Sequence, residues 1–234
     1  MKKIRNVILL ITIVIALTIS GYMYKCYQMY ETYQNQTSIV TLMEETMHKE
    51  NFVPFDALPD SLVKATIAIE DRRYYIHGGV DFIGVLRAIV SQVDDDFLKS
   101  GGSTITQQTA KNLYHMYESS LLTKGCQMWM AWELEKNYTK EEIFAVYVNI
   151  INYGDNNQGI YEAATNYFNV LPYQLSMEQS TILAGIPNLP GYYQLSDHYQ
   201  NAKQRQYNVL VCMEDSGYIT KDETKTFLLR DIVQ

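Results

Sequence analysis

The 234-residue sequence predicts a mostly α protein with one membrane-spanning helix at its N-terminus. Three observations carry that reading. Apolar residues recur at helical spacing from about residue 60 onward, and no segment competes with a strand period. Val7 to Tyr24 is apolar or weakly polar throughout, with Lys2, Lys3 and Arg5 before it and Lys25 after it. Eighteen residues of helix rise about 27 Å, close to the ~30 Å of a hydrocarbon core. The basic flank favours the cytoplasm for the N-terminus and the outside for the rest. A cleaved signal peptide is the rival reading, with Ala16-Leu17-Thr18 as a faint cleavage candidate.

The elements follow in order. Residues 1–25 form a basic tip and anchor, 26–50 an extracytoplasmic stalk, and 51–234 one domain. Tyr27 to Thr46 is polar and Tyr/Gln-rich and reads as a helical or loose stalk. Pro54 and Pro59 bracket a turn, and helical spacing from Leu62 through Ala65 and Ile69 ends at Glu70. Asp81 is the N-cap expected for a helix from Phe82, with Val85, Leu86, Ile89, Val90 and Val93 as its stripe. Asp94 to Gly102 reads as a loop. Helices are expected over Thr104–Tyr117 and Leu121–Lys136, and another follows Thr139-Lys140-Glu141-Glu142, an imperfect capping box. Gly154 to Gly159 is a loop, and Gly159–Phe168, Ser176–Gly185 and Ala202–Asp215 complete the helices, with a bend at Pro187 and Pro190.

Composition excludes several functions. Four of the 19 basic residues and none of the 26 acidic ones lie in residues 1–25, which leaves about −11 on the remainder. Such a domain does not attract nucleic acid or an anionic membrane by bulk charge, so an anionic substrate needs a local cationic cluster. Cys26, Cys126 and Cys212 are odd in number and share no metal-ligand spacing.

Two blocks carry the chemistry. In the first, Ala65-Thr66-Ile67-Ala68-Ile69-Glu70-Asp71-Arg72-Arg73-Tyr74-Tyr75-Ile76-His77-Gly78-Gly79-Val80-Asp81, a carboxylate ends an apolar helix and is followed by arginines and a histidine. The second, Gly101-Gly102-Ser103-Thr104-Ile105-Thr106-Gln107-Gln108-Thr109-Ala110-Lys111-Asn112, is a dense hydroxyl and amide run with one lysine, suited to sugar or phosphate. Thr104, Gln108 and Lys111 follow i, i+4, i+7 spacing and share a helix face.

The pattern E-D-x-x-(F/Y)-x-x-H-x-G-x-D followed by G-G-S-T-I-T-Q-Q-x-x-K-N resembles the peptidoglycan glycosyltransferases, glycosyltransferase family 51. The resemblance runs over about residues 54 to 225 and takes in Lys124, Ala131, Leu134, Glu135, Tyr147, Asn149, Gly159, Glu178, Pro187 and Tyr193. It implies a lysozyme-like two-lobed α fold whose small apolar lobe, served by the Phe82–Leu98 stripe, lies in the outer leaflet. It also implies a reaction in which a growing glycan on polyprenyl pyrophosphate is transferred to a sugar hydroxyl of lipid II. Such a transfer needs a base and cations for the departing pyrophosphate, but no acid for a poor leaving group. Glu70 is the candidate base, because desolvation at the end of an apolar helix raises a carboxyl pKa. Ser103, Thr104, Gln107, Gln108, Lys111 and Asn112 are the expected sugar and pyrophosphate groove, with Lys124 as a further pyrophosphate contact and Arg73 and Arg87 as candidate helpers. Asp71, Arg73, Tyr74 and His77 complete the candidate substrate-binding set. Asp71 doubles as a cap or a partner of Arg72 or His77, and His77 holds the loop before Gly79 and Asp81. No cofactor is required, although a divalent cation, Mg or Mn, is compatible with the pyrophosphate. The partners implied are lipid II, the growing strand, the membrane and other wall-synthesis proteins, with no nucleic acid.

The chain departs from the family pattern R-K-x-x-E, reading Thr123-Lys124-Gly125-Cys126-Gln127 instead. Gln127 stands at the position of the second functional carboxylate and cannot accept a proton. A divergent lipid II-binding member with little catalysis is therefore the second reading, and a lysozyme-like glycan hydrolase the third. Ser61-Leu62-Val63-Lys64 matches S-x-x-K, but no K-T-G or S-x-N follows it.

Overall fold

The computed structural model describes residues 2–90, 102–230 and 232. Among these residues, twelve α-helices carry the architecture and the β structure is one isolated bridge, Asn152 to Gln158. They are α1 (Lys2–Gln36), α2 (Ile39–Met47), α3 (Asp60–Glu70), α4 (Phe82–Val90), α5 (Ile105–Leu113) and α6 (Leu121–Asn137), then α7 (Lys140–Ile150), α8 (Ile160–Phe168), α9 (Met177–Gly185), α10 (Pro190–Tyr193), α11 (Tyr199–Asp215) and α12 (Lys221–Leu229). The expected loop from Asp94, the stripe beyond Val90 and the Arg87 side chain lie outside the described residues.

α1 runs without a break from the apolar span into the stalk, and it is long and apolar enough to cross a membrane. Its last turns lie against α6. The Tyr22 hydroxyl donates to the Leu121 carbonyl at 2.6 Å, and Tyr27 and Tyr30 pack on the Trp129 ring. Gly125 permits this approach, because a Cβ there would come within 2.2 Å of Cys26 Sγ. The stalk is thus helical and docked rather than loose. Ile39 and Met43, one turn apart on α2, join Cys126, Met130, Leu134 and Ile143 in one buried cluster. That apolar pair is what anchors a segment otherwise read as polar.

α3 is buried on two sides. Leu62 and Ile67 enter the main core with Tyr74, Ile105, Phe144, Tyr147 and Leu183. Ala65 and Ala68 meet Ala184, Val209, Leu210 and Met213, their small side chains allowing α11 to come close. Glu70 is therefore carried to the end of a rod held from both sides.

Helix boundaries follow local chemistry. Thr139 and Glu142 form a complete reciprocal capping box at α7, firmer than the sequence pattern suggested. Asp81 caps α4 by accepting the Gly84 N–H at 2.8 Å. α5 stops at Leu113 rather than Tyr117, because His115 takes the left-handed conformation (φ 52°). The Met116 N–H then returns to the Lys111 carbonyl and the His115 N–H to Asn112, a Schellman motif with histidine in the usual glycine place. α12 was missed by the sequence reading, although Thr220 and Glu223 form the same capping box as Thr139 and Glu142.

Candidate active site

Glu70 sits at the C-terminal end of α3, where the carbonyl end of the helix disfavours a negative charge. Its side chain is only 13% exposed. Gln108 Nε2 donates to Glu70 Oε2 at 2.8 Å, and Arg205 Nη2 lies 3.8 Å from Oε1. Burial pushes the Glu70 carboxyl above its ordinary value. The Gln108 hydrogen bond, Arg205 and Lys111 oppose that shift, and Asp71 adds to it. Sequence reasoning missed Arg205, which comes from α11 with no local signal linking it to residue 70.

Asp71 points away from Glu70. Its carboxylate accepts the Ile105 N–H at 2.9 Å, facing the positive N-terminal end of α5. It also binds His77 Nε2 at 2.9 and 3.0 Å, and both side chains are buried. Asp71 and His77 together pin the 71–81 loop to α5. Arg72 instead lies 3.6 Å from Asp215. Arg73 is ion-paired with Asp81, the α4 cap. Tyr74 is fully buried, its hydroxyl donating to the Lys140 carbonyl at 2.6 Å, which makes it a core side chain.

The second block divides into two roles. Thr104 caps α5 by accepting the Gln107 N–H, donates to the Gly79 carbonyl at 2.6 Å, and is answered by Gln107 Oε1 on its own N–H. Both are buried and hold the helix start. Gln108, Lys111 and Asn112 are half-buried and lie on the remaining face. Asn112 Nδ2 donates to the Gln108 carbonyl at 2.8 Å, and Lys111 Nζ stands 5.6 Å from the Tyr117 ring centre.

Lys124, one turn into α6, donates to Ser103 Oγ at 2.9 Å. Its pKa is lowered by burial and then by the charge of Lys111, so the two ammonium groups share one neighbourhood. Thr123 and Gln127 are both 2% exposed. Thr123 closes the Ser120 cap, and Gln127 Nε2 reaches toward the Met116 carbonyl at 3.5 Å. The site thus assembles one buried carboxyl, one amide oriented on it and two lysines. Among the described residues no three His, Cys, Asp or Glu side chains gather to hold a metal.

A sequence model of the transglycosylase family matches residues 35–214. A monofunctional glycosyltransferase of Staphylococcus saprophyticus is 38% identical over 189 residues, covering 77% of this chain and 69% of that protein. A Cupriavidus necator protein whose name carries the word transglycosylase is 36% identical over 185 residues, covering 79% and 80%. Penicillin-binding protein 4 of Bacillus subtilis is 35% identical over 193 residues, of which this chain covers 82% of itself but spans only 31% of that longer protein. The lysozyme-like α fold and the glycosyl-transfer character follow from that kinship. This chain belongs to the transglycosylase family, glycosyltransferase family 51.

Proposed function

We propose that the protein polymerises glycan strands from lipid II at the outer face of a membrane, with Glu70 as general base. The observation that carries this reading is the buried Glu70–Gln108 pair within the field of Lys111, whose neighbourhood Lys124 shares. Burial raises the basicity of the carboxylate above that of an ordinary glutamate, and a neutral amide fixes its orientation. In the step, Glu70 takes the proton of the acceptor hydroxyl as its oxygen bonds to the donor sugar C1. The C1–oxygen bond to pyrophosphate breaks, and Lys111 and Lys124 hold the departing charge. Ser103 and Asn112 serve as polar contacts. Asp71, His77, Thr104 and Gln107 are positioning residues that hold α5 and the 71–81 loop, and Arg73 acts through Asp81.

Membrane geometry supports a lipid-linked substrate. Tyr22, near the outer end of the apolar run, is bonded to Leu121 at the start of α6, so Lys124 lies one turn from the membrane exit. Phe82, Ile83 and Leu86 on α4 are all more than 60% exposed, an apolar face suited to the outer leaflet. The orientation with the N-terminus in the cytoplasm and the site outside belongs to this proposal, as does the contact with other wall-synthesis proteins. Among the described residues, the groups beside Lys111 and Lys124 are a hydroxyl and amides rather than a carboxylate cluster, so Mg or Mn would enter as a counterion of the pyrophosphate.

The burial of Thr123 and Gln127 favours a second reading, lipid II binding with slow turnover. Polymerisation of labelled lipid II by the detergent-solubilised full chain, with Glu70→Gln as control, separates the two. Strands from the wild type alone support the enzyme, and bound but unconverted lipid II supports the binder.

A further inference from the structure

The main core holds a polar group that its packing does not use. The Tyr147 hydroxyl, on α7, is fully buried and has no hydrogen-bond partner among the described residues. Other packed tyrosines satisfy theirs: Tyr74, Tyr114 and Tyr138 donate to the carbonyls of Lys140, Thr37 and Val40 at 2.6, 2.7 and 3.2 Å. An orphaned buried donor costs stability that a phenylalanine would not, and Phe144, one turn earlier on the same helix, is such a residue.

The surroundings of the hydroxyl give it a use. Tyr147 shares its buried cluster with Ile67, one turn before Glu70 on α3, and with Ile105, the first residue of α5. Of the ionisable groups around it, Glu70 acts on it most strongly, ahead of Tyr153 and Asp71. Burial, and then that carboxylate, push the phenol well above its ordinary value, so the hydroxyl keeps its proton and stands as a donor.

The acceptors nearby are unequally occupied. Asp71 is taken by the Ile105 N–H and by His77. Glu70 is faced by Gln108 and Lys111 from α5, by Arg205 from α11 and by Asp71 from its own segment. Gln108 binds Oε2, whereas the Arg205 guanidinium stands 3.8 Å from Oε1, an ion-pair distance too long for a hydrogen bond. Oε1 thus keeps acceptor capacity, and the hydrogen bonds of catalytic groups often tighten only when substrate is bound.

We propose that Tyr147 is a positioning residue for Glu70, a buried donor that closes on Oε1 and holds the carboxylate for its proton transfer. It touches no substrate. Its effect on rate rests on the glycosyltransferase reading, whereas its effect on the charge of Glu70 needs no turnover.

Tyr147→Phe tests it, because the ring stays and only the donor goes. Unfolding is measured at a series of pH values for the full chain and for the Glu70→Gln background, beside the pH profile of lipid II turnover. Without the donor the ionised Glu70 loses support, so its folded pKa rises further above the unfolded value. Relative to wild type, Tyr147→Phe should match or exceed its stability at low pH and fall behind as pH rises. Its acid limb should lie about one pH unit higher, a tenfold change in proton affinity, with KM for lipid II unchanged. In Glu70→Gln the same substitution should shift melting by one constant amount at every pH. Placing 3-fluorotyrosine at position 147, a stronger donor of nearly the same size, should move the acid limb the other way. A stability change that is uniform with pH beside an unmoved acid limb, or one equally pH-dependent in Glu70→Gln, overturns the assignment. So does a folded 3-fluorotyrosine protein whose acid limb stays in place. A pH-dependent loss that vanishes in Glu70→Gln, in a protein that makes no polymer, supports the Tyr147–Glu70 coupling and removes the glycosyltransferase reading instead.

Discussion

Restoring a carboxylate at position 127 should harm this protein. Gln127 is 2% exposed, and its amide is directed at the Met116 carbonyl at 3.5 Å. In Gln127→Glu the amide donor is lost, and an ionised oxygen faces the carbonyl oxygen. Losing the hydrogen bond alone costs about 1–3 kcal/mol, and an uncompensated buried charge about 3–5 kcal/mol. Lys124 lies one turn away, but its ammonium is held on Ser103. The introduced carboxyl is therefore expected to keep its proton, its folded pKa raised above the unfolded value of about 4.3. The sign follows from linkage: the protonated carboxyl still donates to Met116, so stability matches wild type at low pH and falls as pH rises toward the folded pKa. Urea unfolding of the variant near pH 4 and near pH 8 measures the difference, with lipid II turnover measured alongside. Equal stability at both pH values together with faster turnover would refute the argument, because the new carboxylate would then have found Lys124 and served the reaction.

Other consequences follow from the same contacts. Because burial raises the Glu70 pKa, its ionised form is disfavoured in the fold, and stability from this group is lost as pH rises through the folded value. Glu70→Gln should therefore melt higher than wild type at neutral pH, and the acid limb of the wild-type rate should lie above the ordinary carboxylate range; a lower melting temperature would count against the buried, raised carboxyl. Asp71→Ala leaves the Ile105 N–H and His77 without their partner and should cost about 3–5 kcal/mol in chemical denaturation, whereas a loss below about 1 kcal/mol would show the loop to be held otherwise. Lys111→Ala should raise KM for the donor and lower the rate with little change in melting temperature, and unchanged kinetics would exclude its pyrophosphate role.

Much of the fold was legible because helix signals are local. The end of α3 at Glu70, the Asp81 cap and the start of α7 at Thr139 each follow from spacing or a capping side chain. The alternatives left open for Asp71 closed on His77 and the start of α5, since a buried carboxylate needs several donors and found them there. What escaped depended on distant partners. Arg205 reaches Glu70 from α11, and Thr104 and Gln107, which looked like groove residues by composition, are consumed in capping α5. The stalk looked polar because Ile39 and Met43 are a sparse pair whose value appears only when α6 lies opposite. The extent of α5 was overestimated because a histidine, not a glycine, terminates it.

The measurement that bears most directly on the proposed chemistry is strand synthesis from labelled lipid II by the full chain and by Glu70→Gln, each first shown to bind lipid II. Polymer from the wild type and none from a folded, substrate-binding Glu70→Gln is the expected result. Equal polymer from both would remove Glu70 as the base, and bound lipid II with no polymer from either would leave a binding protein in place of an enzyme.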